Sequence, residues 1–123
     1  MATINPSYRY VGEHTVVATW ANFAAGDTLV PIGPRWADYS DRNVTFYGAF
    51  GGTVTFEGSN SATEGGANYQ TLTDPQGNAI SKTAVANEQI EEVTLWVRPT
   101  AGVGVTATNC TITMRRGRGG QEN

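Results

Sequence analysis

Lysine is almost missing from this 123-residue chain: Lys82 is the only one, beside seven arginines. Cysteine and histidine are as scarce, each present once, as Cys110 and His14. A single cysteine excludes an intrachain disulfide, and one cysteine with one histidine cannot make the paired spacing of a zinc site. No apolar run approaches the roughly 20 residues of a membrane-spanning helix. The opening "MATINPSYRYVGEH" has neither the basic start nor the apolar core of a secretory signal, so synthesis and folding in a cytoplasm are expected. No G-x-G-x-x-G or G-x-x-x-x-G-K stretch precedes a helical pattern, so no nucleotide cofactor is expected, and "GVG" at 102–104 reads as a turn. Ser40, Ser59, Ser61 and Ser81 all stand outside any nucleophile-elbow pattern, and His14 has no evident nucleophile and orienting acid around it.

What is abundant points one way. Threonine occurs 17 times and glycine 15 times. Branching at Cβ suits threonine to extended backbone, and glycine serves the turns between strands. Strand patterns run over 14–20, 28–32, 42–50, 53–59, 68–73, 79–86, 87–100 and 103–115. In 42–50 and 53–59 the alternation places Val44 and Phe46, then Val54 and Phe56, toward a core, with Thr45, Thr53 and Thr55 opposite. Gly51-Gly52 between them predicts a hairpin. Val93, Leu95 and Val97 are expected on one face, with Thr94, Trp96 and Arg98 on the other. Cys110, Ile112 and Met114 are expected to share a buried face, the cysteine as a small hydrophobe. Pro31 marks an edge or bulge, Pro99 and Gly102 mark a bend, and "DPQGN" at 74–78 is a turn in which Asp74 accepts a backbone hydrogen bond. The connection 33–41 has room for one helical turn.

Seven or eight strands without a long helix, a βαβ unit or a heptad give an all-β chain. The expected fold is an antiparallel β-sandwich, with a jelly roll as one connectivity the pattern admits. Residues 1–13 read as an N-terminal arm with Tyr8 and Tyr10 to anchor it. Residues 14–114 read as the sandwich domain, and 115–123 as an Arg/Gly-rich tail.

Charge and side-chain chemistry favour contact over reaction. Glu57, Glu64 and Asp74 lie near bends. Two carboxylates can cleave a glycosidic bond, but these three read better as solvated or turn-capping groups. Asp74 and Asn78 are oxygen donors for calcium without the ordered acidic spacing of an EF-hand loop. No catalytic, cofactor-binding or metal-binding residue is assigned. Arg115, Arg116 and Arg118 cluster near the end of the chain. Residues 1–114 hold five basic and ten acidic side chains, a net −5, and a body of that sign disfavours direct nucleic-acid binding. The arginines suit an acidic protein surface instead, and Glu88, Glu91 and Glu92 of another copy are one such surface. Trp20 reads as core and Trp36 as a plug at one end of the sandwich. Trp96 reads as an interface residue or as packing beneath a loop, since interfaces favour aromatics.

The stretches "WADYSDRNVTFYGAFGGTVTFEGSN", "NYQTLTDPQGNAI", "LWVRPTAGVG" and "TITMRRG", in that order, span most of residues 36–117. Together they resemble small bacteriophage head-associated structural proteins, the capsid decoration or cement proteins. "TVTFEGSN" followed by "NYQTLTD" is also similar to a hairpin segment of carbohydrate-binding jelly rolls. The first resemblance implies a non-enzymatic virion protein on the capsid surface, bound to the major capsid protein and self-associating near a symmetry axis. It gives no membrane partner and no cofactor. A tail or baseplate location and a carbohydrate-binding module are the alternatives. The side chains expected at a protein interface are Trp36, Trp96, Arg98, Arg115, Arg116 and Arg118.

Overall fold

The computed structural model describes residues 1–61 and 68–116. In these, the strands are β1 (Thr3–Ile4), β2 (Ser7–Tyr10), β3 (Thr15–Phe23), β4 (Thr28–Leu29), β5 (Asp41–Ala49), β6 (Val54–Ser59), β7 (Gln70–Thr71), β8 (Ser81–Lys82), β9 (Ala86–Gln89), β10 (Trp96–Ala101) and β11 (Ala107–Arg115). One 3-10 turn, Pro34–Trp36, is the helical turn for which the 33–41 connection had room. The fold is therefore all-β, with antiparallel sheets packed together as expected. Strands β1 and β2, inside the segment read as an arm, and the division of the 87–100 pattern into β9 and β10 raise the count above the seven or eight read from sequence.

A five-stranded antiparallel sheet runs in the order β2-β3-β11-β5-β9. The second sheet is built on β6, with β10 along one edge and the two short strands β7 and β8 in line along the other. β1 and β4 form a small parallel pair. Alternation decides which face is inside: Val16, Ala18 and Trp20 of β3, Val44 and Phe46 of β5, and Cys110, Ile112 and Met114 of β11 are fully buried. They meet Val54 and Phe56 of β6 across the core. Phe56 is edge-on to Trp20 at 6.2 Å and to Phe46 at 6.5 Å, so one ring stitches the two sheets. The outer face of the five-stranded sheet carries hydroxyls and amides. One row across all five strands reads Ser7, Thr19, Thr111, Thr45, Asn87. Thr19 and Thr111 share a 3.0 Å hydrogen bond, and the Thr45 hydroxyl donates to Asn87.

The hairpin expected at Gly51-Gly52 does not form. Val44, Phe46, Val54 and Phe56 all face the core, but β5 and β6 belong to different sheets. The chain crosses between sheets here, and it does so against the 102–105 turn. Gly51 (φ 70°) and Gly104 (φ 94°) sit back to back: a Cβ on Gly104 would lie 2.6 Å from the Gly51 carbonyl oxygen, and one on Gly51 would run into the Gly104 carbonyl. Positive φ and close approach are both glycine properties, so the glycine pair itself could not separate a hairpin from a crossing.

Pro99 also departs from expectation, lying inside β10 rather than at a bend. Val97 donates its N–H to Ile32 on the edge opposite β6. Pro99 has the same parity, so its missing N–H removes no bond to β6. Val93 and Leu95 are exposed instead of sharing the buried side of Val97, because β10 begins only at Trp96. Residues 90–95 form an irregular passage from one sheet to the other, tied down by Ile90 N–H to the Arg42 carbonyl and Glu91 N–H to the Thr73 carbonyl.

Residues 1–13, read as an arm, place 3–4 and 7–10 in ladders, with β2 as the outermost strand beside β3. At 74–78 the turn has the expected mechanism: Asp74 Oδ1 accepts from the N–H groups of Gln76 and Asn78, and Gly77 has φ 88°.

Candidate interaction surface

One end of the sandwich brings Trp36, Trp96 and Arg116 together with Tyr8 and Tyr10. It is bounded by the ends of β2, β6 and β11, the starts of β3, β5 and β10, and the 33–40 connection. Tyr8 and Tyr10 pair in register with Ala18 and Val16, whose side chains point inward, so both rings lean over the flank of the core. Trp36 fills the space beneath them and is only 4% exposed. It stacks on Tyr8 with centroids 5.4 Å apart, lies 5.9 Å from Tyr10, and meets Tyr39 edge-on at 5.3 Å. Two cations flank the rings. The Arg35 guanidinium is 4.6 Å from the Trp36 ring centre. That of Arg116 is 5.1 Å from the Tyr39 ring and donates to the Tyr39 hydroxyl at 3.2 Å. Burial pushes the Tyr8 phenol pKa up, a shift partly offset by the Trp36 side chain and the charge of Arg35.

Beneath this cluster Arg42 holds the connection in shape. Its position follows from parity: residues 42, 44 and 46 of β5 all point inward, so the arginine is carried into the core end. Nε donates to the Tyr39 carbonyl at 2.7 Å, Nη2 to the Trp36 carbonyl at 3.0 Å and Nη1 to the Thr94 carbonyl at 3.2 Å. Burial lowers its pKa to about 10, so the group is still a cation at neutral pH. The planar fork therefore joins the Trp36 connection to the passage that leads into β10.

Trp96 and Arg98 stand on the outer side of β10. The Trp96 indole N–H donates to the Ser61 carbonyl at 3.0 Å, and its ring lies on Gly33, where a Cβ would be 2.7 Å from Cζ3. Trp96 is thus half-buried against the same connection that carries Trp36. The Arg98 guanidinium lies 3.9 Å from the Tyr69 ring centre and 3.5 Å from a Glu57 oxygen. Arg115 ends β11 beside Asp41, at 3.5 Å, on the outer face of the other sheet. Arg118 and Glu64 lie outside the described residues.

The structure therefore brings Trp36 and Arg116 together through Tyr39, sets Trp96 beside them through Gly33, and leaves Arg98 and Arg115 on opposite outer faces. At the Trp36 end the accessible surface is offered by Tyr8, Tyr10, Val11, Val93 and Leu95 together with Arg35 and Arg116, while the indole is their floor. Arg35, Tyr39 and Arg42 were not singled out in the sequence. Their signal is "PRWADYSDR", where cations and rings recur around a short turn. Exposed aromatics with arginine are the composition of protein-binding hot spots, and rings already packed on a buried tryptophan lose little freedom on contact.

Comparison with protein-family models, with curated proteins and with solved structures finds no match to this chain.

Proposed function

We propose that this chain is a non-enzymatic structural protein of a bacteriophage particle, which binds the assembled capsid as a decoration or cement protein through its Trp36 end. The observation that carries this reading is the cluster of Tyr8 and Tyr10 fixed on Trp36 and flanked by Arg35 and Arg116. The partner it fits is a capsid-protein surface with acidic groups for the arginines and shallow apolar hollows for the tyrosines. A ligand that binds the closed lattice more tightly than loose subunits shifts the equilibrium toward the shell. Several copies around a symmetry axis multiply a modest single contact. The reading also draws on the ordered resemblance across residues 36–117. Co-sedimentation with purified shells tests it. Saturable binding that weakens with salt is expected, since the arginine contacts are screened. Association with tails but not shells would keep the chain in the virion and move it off the capsid; association with neither would overturn the reading.

A further inference from the structure

The five-stranded sheet ends in two edge strands, β2 on one side and β9 on the other. We propose that copies of this chain associate head to tail through these edges, β2 of one copy lying parallel to β9 of the next, so that the sheet continues from copy to copy. This contact is separate from the one proposed with the shell and forms between free chains.

Hydrogen-bond parity shows which backbone groups each edge offers. Val11 donates its N–H to the Thr15 carbonyl at 2.9 Å, and Arg9 lies opposite Val17. The odd positions of β2 therefore bond toward β3, and the N–H and C=O groups of Tyr8 and Tyr10 face away from it. On the other side Ile90 donates to the Arg42 carbonyl at 3.0 Å, and Glu88 lies opposite Val44. The even positions of β9 therefore bond toward β5, and the groups of Asn87 and Gln89 face away. Among the described residues neither strand has a second neighbour in the sheet. Rows of donors and acceptors of this kind are templates for another strand.

The two faces of the sheet then fix the direction. Tyr8 lies beside the inward-facing Ala18, and Glu88 beside the inward-facing Val44, so both belong to the core side of the sheet. In a parallel pair, a residue that bonds across stands opposite one that does not. Tyr8 can then stand opposite Glu88 of the next copy and bond to the backbone on either side of it, with the core sides of both sheets aligned. In an antiparallel pair bonding residues stand opposite each other, which would set Tyr8 against Asn87 and turn one sheet over.

Two identical edges could pair about a two-fold axis, and charge disfavours that. Arg9 is exposed on β2. Glu88 lies on β9, held by Lys82 at 2.7 Å, and the exposed Glu91 follows it. Joining two β2 edges gathers arginines, and joining two β9 edges gathers glutamates. Joining β2 to β9 sets opposite charges side by side. A contact of this kind repeats, closing into a ring or running on as a chain of copies.

Sedimentation of the full chain without shells tests the proposal. Species larger than a dimer are expected, growing with concentration up to about 1 mM and shrinking as salt is added. Arg9→Glu is expected to weaken association about ten-fold with an unchanged unfolding midpoint, because the side chain is exposed. Adding Glu91→Arg to that variant is expected to restore association, which separates a lost contact from a changed fold. A chain that stays monomeric throughout, an assembly that stops at two copies, an Arg9→Glu chain that associates as before, or a loss that the second substitution does not repair would overturn the proposal. Each of these results leaves the shell reading to its own co-sedimentation test.

Discussion

Arg42 donates Nη2 to the carbonyl of Trp36 at 3.0 Å from a side chain that is 2% exposed. An arginine at the margin of the core thus dictates the path of the connection that carries the buried tryptophan. Its other two bonds, to Tyr39 and Thr94, extend that control to the edge-on tyrosine and to the entry of β10.

Arg42→Lys keeps the charge but loses the fork. A lysine cannot reach three carbonyls at these three positions, and each buried acceptor left without a partner costs about 1–3 kcal/mol. We predict a loss of about 2–4 kcal/mol in urea unfolding, seen as a lower midpoint with an unchanged slope. A loss below about 0.5 kcal/mol, the scale of neutral surface changes, would mean the fork does not organise this end.

Gly51 and Gly77 share a positive φ and differ in surroundings. A Cβ at Gly77 meets nothing within 4 Å, whereas one at Gly51 meets the Gly104 carbonyl. Gly77→Ala should cost only the left-handed backbone strain, about 1–2 kcal/mol. Gly51→Ala should cost distinctly more, since the crossing between the sheets must open to admit the methyl. Equal losses in parallel denaturation curves would contradict the close approach of the two turns.

Burial alone would raise the pKa of Glu92, but the Thr73 hydroxyl and N–H bonds outweigh it and leave the pKa lowered. The folded chain therefore holds fewer protons than the unfolded chain between the lowered pKa and the ordinary glutamate value of 4.5. The contribution of Glu92 is in place above that value and is lost as pH falls through the folded pKa. Glu92→Gln should flatten this part of the stability profile, measured as unfolding midpoint against pH between neutral and strongly acid solution. An unchanged acid slope would show that the Thr73 bonds do not act on folding.

Tyr10 is 59% exposed, and its ring centre lies 5.9 Å from that of Trp36. Tyr10→Ala should cost about 1 kcal/mol of stability, the size of an aromatic pair. It should weaken shell binding at least ten-fold, as removal of a hot-spot ring does. Retained shell affinity in a folded Tyr10→Ala chain would take Tyr10 out of the interface.

The sequence disclosed what depends on alternation and little of what depends on pairing. Val44, Phe46, Val54, Phe56, Cys110, Ile112 and Met114 lie inside because a period of two fixes a side chain's face whichever strand lies next to it. Partners are non-local: β11, the last strand, lies between β3 and β5, and no local pattern records that. Gly51-Gly52 misled for this reason, and Pro99 misled because an edge position was invisible before the edge was known. Trp36 as an end plug was legible from its loop setting. The arrangement around it was not, since Tyr8, Tyr39 and Arg116 come from three distant parts of the chain. Arg42 was within reach, because the parity that places Val44 and Phe46 inside places it there too.

A density map of the particle that carries this chain tests the adhesion account most directly. The account predicts a β-sandwich seated on the shell with Tyr8, Tyr10, Arg35 and Arg116 within contact distance of capsid subunits. A sandwich attached by another surface, with these four side chains facing open solvent, would contradict it.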